Sequence, residues 1–382
     1  MDIQLVQNVK VVFGAGKLAE LAEVVKEKGS ERPLVVTDKG IVAAGIADKV
    51  LAVLTGAGCD PVLFDGVQPD PSAVVVGKGY QEFAARGCDL VIGVGGGSAM
   101  DTAKAINLLR YNDGPILRYA QGEQIGLSPN LVVVPTTSGT GSELSDGLVI
   151  SGPDGGKYPI LATLASSEYA VVDPELMVGM PPHITASTGF DALAHNVEAY
   201  TTTVATPITD HLTAPTIQSV LTWLPRAVAD GSDIEARSHM AINCLMGGWM
   251  LRYGHTHAGH SVAHVLGGTF HIPHGFGCAY ALPWVLEFNA PALPEKTADL
   301  ARWFGARVTG LETPEEIGAK AREALISFRD HDLHIRPARE WDIDRTRFPE
   351  MATEIEHELF QVFNPRKMTA ADAQDILEKI FA

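Results

Sequence analysis

The chain has 382 residues, enough for two domains with cores of their own. Its net charge of −17 argues against nucleic-acid partners, whose phosphates call for Lys/Arg patches. Hydrophobic residues make up 46% and charged residues 20%, and there is no apolar run of about 18 residues or more, so a globular protein without a membrane span is expected. In chain order, VKVVF (9–13), PLVVTD (33–38), PVLFDG (61–66), DLVIGVG (89–95) and NLVVVP (130–135) read as strands, being short, rich in Val, Leu and Ile, and closed by Gly, Asp or Pro. Between them GKLAELAEVVKEKG (16–29), IVAAGIADKVLAVLTGAG (41–58) and PSAVVVGKGYQEFAARG (71–87) read as helices. This alternation predicts parallel β/α units. From Ala186 onward helical periodicity dominates, and Pro181-Pro182 marks the change. The expectation is an α/β domain over residues 1–181 and a helical domain over 182–382. Cys59, Cys88, Cys244 and Cys278 are widely spaced with no C-x-x-C pair, and MDIQLVQNVKVVFG lacks the pattern of a secretory signal; both point to the cytoplasm.

Two glycine-rich turns compete for a nucleotide. FGAGKLA offers Gly14-x-Gly16-x-x-Ala19 after the first strand, with Asp38 22 residues beyond Gly16. A plain tight turn explains this stretch equally well. DLVIGVGGGSAMDTAKAI is stronger, because an apolar strand runs into Gly95, Gly96, Gly97 and Ser98 and a helix follows. Glycines let backbone N–H groups approach an oxyanion closely, the helix start adds its positive dipole end, and Ser98 is placed to cap that helix. PTTSGTGSE (135–143), with Thr136 and Thr137, follows another strand and so lies at a sheet's C-terminal edge, where ligands of α/β sheets bind.

The helical half holds the second constellation. Asp191 and His195 in GFDALAHNVEAY are four apart, hence on one helical face; a simple Asp–His hydrogen bond would use the same spacing. HTHAGHSVAHVLGGTFHIPHG (255–275) packs six of the 13 histidines into 21 residues. His260 and His264 again share a face, and His274 follows Pro273 at a turn. One carboxylate with three imidazoles suits Fe²⁺ or Zn²⁺, although spacing leaves open which histidines join. His255, His257 and His271 are assigned to the surface or to positions behind the ligands.

Taken together, GVGGGSAMDTAK, PTTSGTGSE, VVDPELM, GFDALAHNVEAY and HVLGGTFHIPHG, in this order over roughly residues 10 to 290, resemble the iron-containing (group III) alcohol dehydrogenases, near the lactaldehyde and 1,3-propanediol reductases. The resemblance implies a Rossmann-like parallel-sheet domain followed by an all-helical metal-binding domain. It implies Asp191, His195, His260 and His274 as ligands of one divalent metal, Fe²⁺ foremost and Zn²⁺ the competitor. His264 would lie by the nicotinamide and relay protons, since imidazole titrates near neutral pH. NAD(H) would be bound by Gly95, Gly96, Gly97, Ser98 and Asp101, by Thr136 and Thr137, by Lys157 on the nicotinamide side, and by Asp38 at the adenosine ribose. The implied activity is a reversible alcohol dehydrogenase or aldehyde reductase working in the cleft between the domains, as a homodimer or higher homo-oligomer, on a small alcohol or aldehyde. Gly147, Leu251 and the His255–His257 turn would wall the substrate. His255 and His257, standing where relatives have glycine, suggest a substrate with a hydroxyl or anionic group, unless both point to solvent. A maleylacetate-reductase-like oxidoreductase is the alternative. A dehydroquinate-synthase-type lyase uses a different ligand set, and a non-catalytic metal-binding protein would need no dinucleotide loop.

Overall fold

The computed structural model describes residues 5–382. Six parallel strands form one sheet in the order β1 (Lys10–Phe13), β8 (Tyr169–Val172), β5 (Leu131–Pro135), β4 (Leu90–Gly95), β2 (Pro33–Asp38), β3 (Val62–Val67). The inner strands β4 and β5 are buried along their whole length because helices cover both faces. Side chains alternate between two cores: Leu34, Val36, Val91 and Val133 enter one, and Val35, Ile92, Val132 and Val134 the other. Each such side chain contributes about 1.5–3 kcal/mol by leaving water. The five strands read from sequence are all present. Three more are found: β8, only four residues long, and the antiparallel pair β6 (Gly147–Ser151) and β7 (Lys157–Leu161). Asp154 closes the β6–β7 turn by accepting from Gly156 N (3.1 Å) and the Tyr158 hydroxyl (2.6 Å).

The chain divides into two compact units, and the first crossing falls between Met180 and Pro181. A single boundary there is nevertheless too simple. Gly231–Trp249, expected in the helical domain, belongs to the sheet-bearing unit. The physical reason is local packing. Ala241 and Leu245 of the Ile234–Met250 helix are buried in the same core as Leu148 and Ile150. A methyl group at Gly248 would stand 2.1 Å from Gly141 O, so only glycine permits this approach. Arg237, 1% exposed, donates to Gly231 O (3.1 Å) and Met180 O (3.2 Å), tying the returning segment to the departing one.

The second unit, Pro181–Asp230 with Met250–Ala382, has helices and connecting loops and no strand among its described residues. The Pro182–Thr201, Ala258–Phe270 and His274–Asn289 helices pack on one another. Small residues set their spacing: a Cβ at Gly275 would stand 2.3 Å from Ser187 O. That closeness brings His274 down onto the helix that carries Asp191. Among the described residues no helix is long and apolar enough to cross a membrane.

Candidate metal centre and nucleotide loops

Three helices deliver the metal candidates to one point. Asp191 and His195 face the same way from the Pro182–Thr201 helix, His260 sits in the first turn of Ala258–Phe270, and His274 opens the next helix after Pro273. Asp191 Oδ1 lies 3.7 Å from His195 Nε2, 3.5 Å from His260 Nε2 and 3.5 Å from His274 Nε2. These separations exceed ordinary hydrogen bonds of about 2.7–3.2 Å. They match two ligands each about 2.1 Å from a shared ion at a tetrahedral angle, which stand about 3.4 Å apart. The Asp191 and His260 side chains are 3% and 4% exposed, whereas His274 is 29% exposed, so the cluster opens on that side. Burial would raise the Asp191 pKa, but His195, His274 and His260 outweigh it and hold the carboxyl well below the usual range. A buried anion ringed by ring nitrogens fits a divalent cation.

Sequence reasoning missed three residues here. Cys278, one turn after His274, puts its Sγ 3.4 Å from Asp191 Oδ1 and 3.6 Å from His274 Nε2, making it a further donor at the cluster. Burial pushes its thiol up to about 12. Glu198 accepts from His260 Nδ1 at 2.5 Å, and Glu358 pairs with His264 Nδ1 at 3.0 Å while accepting from Ser261 Oγ at 2.8 Å. His264 stacks on His274, with ring centroids 5.4 Å apart, so the proposed relay residue adjoins the cluster. His257 is fully buried against Glu198 and Thr201, so of its two expected placements it takes the one behind the ligands and not one facing a substrate. His255 stacks on Phe363 at 4.1 Å, and His271 is an exposed helix-ending residue with φ 55°.

The nucleotide candidates lie in the first unit. Asp38, Gly95 and Thr136 stand at the C-terminal ends of the neighbouring strands β2, β4 and β5, a single sheet edge. Gly95 has φ 146° and Gly96 precedes the Gly97–Leu109 helix as its cap. Ser98 is therefore inside the first turn, and the expected Ser98 side-chain cap is not formed. Thr137 and Thr140 fold over the glycines: a Cβ at Gly97 would meet Thr140 Cγ2 at 2.7 Å. Thr136 Oγ1 is buried without a hydrogen bond. Asp38 Oδ1 caps the next helix, accepting from Gly40 N (2.7 Å) and Ile41 N (3.0 Å). Asp101 is engaged inside the fold, accepting from Ser142 Oγ (2.6 Å) and Val149 N (2.9 Å). Lys157 pairs with Asp70 at 2.8 Å. The rival turn at Gly14 and Gly16 is filled by the chain itself: Asp173 accepts from Gly16 N (3.1 Å) and Leu18 N (2.8 Å).

Comparisons with known proteins agree with this picture. The profile "Iron-containing alcohol dehydrogenase" matches residues 8–174, and "Fe-containing alcohol dehydrogenase family, C-terminal" matches residues 185–381. A choline dehydrogenase of Bacillus subtilis is 36% identical over 97% of this chain and 93% of its own length. An NAD-dependent methanol dehydrogenase of Bacillus methanolicus is 34% identical, covering 96% of this chain and 97% of its own. The crystal structure of a 1,3-propanediol oxidoreductase superposes with a TM-score of 0.93 at 35% identity, covering 100% of both chains.

Proposed function

Because the chain belongs to the iron-containing alcohol dehydrogenase family, and is thus an oxidoreductase of alcohols and aldehydes, we propose that it moves hydride between NAD(H) and a small polar alcohol–aldehyde pair. Asp191, His195, His260 and His274 hold the metal, with iron first and zinc the competitor by its higher intrinsic affinity. The observation that carries this reading is the set of three Nε2 atoms 3.5–3.7 Å from one buried Asp191 oxygen. Bound there, a divalent ion supplies Lewis acidity to the substrate oxygen. The nicotinamide supplies the hydride acceptor in oxidation and the donor in reduction.

The chain's own residues do the rest. Gly95, Gly96, Gly97 and Ser98 present backbone amides to the pyrophosphate at the start of the Gly97–Leu109 helix. Asp101 acts through the loop it anchors at Ser142 and Val149. Thr136 and Thr137 flank the dinucleotide, Lys157 serves the nicotinamide side, and Asp38 receives the ribose hydroxyls. His264, held by Glu358, exchanges the alcohol proton. A choline dehydrogenase and a propanediol oxidoreductase among the relatives support a substrate carrying a second polar or charged group. The enzyme is proposed to work in the cytoplasm as a homo-oligomer.

The test is anaerobic reconstitution of the metal-stripped protein with Fe²⁺ or Zn²⁺, followed by NAD⁺-linked oxidation of 1,3-propanediol, choline and ethanol. The expected result is metal-dependent turnover favouring the polar alcohols, lost together with the metal in His274→Ala. Full metal content and turnover in that variant would sink the ligand set, and a preference for NADP⁺ would sink the cofactor assignment.

A further inference from the structure

The Pro182–Thr201 helix carries a second buried carboxylate. Glu198 follows Asp191 by seven residues, two turns along the same face, and its side chain is 0% exposed. Its Oε2 accepts from His260 Nδ1 at 2.5 Å and His257 N at 3.1 Å, and its Oε1 accepts from His260 N at 3.2 Å. His257 Nδ1 stands 3.3 Å from Oε1, and His257 is itself held at Nε2 by Thr201 Oγ1, 2.9 Å away. Two backbone amides and a ring nitrogen converge on its oxygens, an environment that suits an acceptor-only carboxylate. His260 therefore lies between two carboxylates, with Asp191 at its Nε2 and Glu198 at its Nδ1.

We propose that Glu198 is the positioning residue that decides which His260 nitrogen carries the proton, and so keeps Nε2 open to the metal. The proposal rests on the ligand reading above. A neutral imidazole has one N–H and one lone pair. With the proton on Nε2, facing Asp191, the nitrogen nearest the cluster could not bind a cation. With the proton on Nδ1, donated to Glu198, the Nε2 lone pair points at the cluster. The 2.5 Å contact to Glu198 is far shorter than the 3.5 Å separation from Asp191, so the second state wins. The backbone amides of His257 and His260 fix the carboxylate where this choice is made. A carboxylate behind a ligating imidazole also makes that imidazole a better donor.

The test uses the full chain and zinc. Competition with a chelating dye gives the Zn²⁺ affinity, and ¹⁵N-histidine NMR of the metal-free protein, at a pH high enough for the ring to be neutral, reports the His260 tautomer. Wild type should show the Nδ1–H form. Glu198→Gln should show a mixture and bind Zn²⁺ about 10–100-fold more weakly. Gly259→Ala provides a second perturbation without any change of charge, because its methyl group would stand 2.3 Å from Glu198 Oε1 and displace it. It should shift tautomer and affinity in the same direction, and it carries the test if Glu198→Gln fails to fold. Zinc affinity within twofold of wild type and an unchanged tautomer in the folded variants would overturn the inference. His260→Ala separates the two readings: if it loses zinc while Glu198→Gln does not, only the inference about Glu198 fails; if it keeps zinc, the ligand set fails.

Discussion

Asp38→Asn isolates a charge from a helix cap. Asp38 Oδ1 accepts the amides of Gly40 and Ile41, and Asn caps about as well as Asp, so the loop should survive within a few tenths of a kcal/mol. Asp38→Gly would remove cap and charge together. What Asn loses is the repulsion of a 2′-phosphate bearing about −1.5 charges. At about 5 Å that repulsion is about 1.2 kcal/mol in a water-like dielectric and about 5 kcal/mol at an effective dielectric of 20. Asp38 is half-buried, which places the effect nearer the first value. NADH should also bind about threefold to tenfold more weakly, because a neutral acceptor makes weaker bonds to ribose hydroxyls. The ratio of kcat/KM for NADH over NADPH should therefore fall about 10–100-fold, and less at high salt. The assay is initial-rate kinetics with both cofactors at two ionic strengths. A ratio unchanged within twofold, with an unaltered melting temperature, would refute the placement of Asp38 at the ribose.

Two further outcomes follow from buried contacts. His264→Ala should keep its metal and its NADH binding while kcat falls about 10²–10⁴-fold; metal loss measured by elemental analysis would make His264 a ligand instead. Lys104, 1% exposed, donates to Gly147 O (2.8 Å), Ser142 Oγ (2.9 Å) and Ser145 O (3.1 Å) beneath the Thr136–Glu143 loop. Lys104→Met strands those acceptors and should cost about 3–5 kcal/mol, seen as a melting temperature lower by several degrees; an unchanged melting curve would contradict this.

The sheet was legible wherever a strand is a continuous apolar run. PLVVTD, DLVIGVG and NLVVVP announce themselves because burial on both faces demands Val, Leu and Ile at successive positions. YAVV is too short to stand out from the loop around it, and KYPIL carries a Lys and a Pro that speak against a strand. The metal cluster was half legible. Helical spacing joined Asp191 to His195 and His260 to His264, but only the fold, or resemblance, brings His274 to both and sets His264 aside. Glu198 was within reach, since its offset of seven residues from Asp191 repeats the helical face. Glu358 was not: it meets His264 across 94 residues of sequence, and no local pattern encodes that pairing. For His257 the pattern left surface, ligand-backing and substrate-facing placements open, and only the fold, which buries it on Glu198, selects the second.

The route of the chain between its two units bears on how the protein comes to be folded. The sheet-bearing unit closes only when Gly231–Trp249 returns, and Arg237 in that segment grips Met180 and Gly231, the residues where the chain departs and comes back. During synthesis the first 180 residues emerge without the helix that seats Ala241 and Leu245 against Leu148 and Ile150. At about 5–20 residues per second, that face waits several seconds for its cover. A nascent chain stalled between Pro181 and Gly231 should therefore expose apolar surface and engage chaperones, and release should come as residues 231–249 clear the ribosome. The same interleaving means that a cut at the double proline yields a fragment with an unfinished core, whereas a fragment that joins the two stretches of the first unit through a short linker should fold.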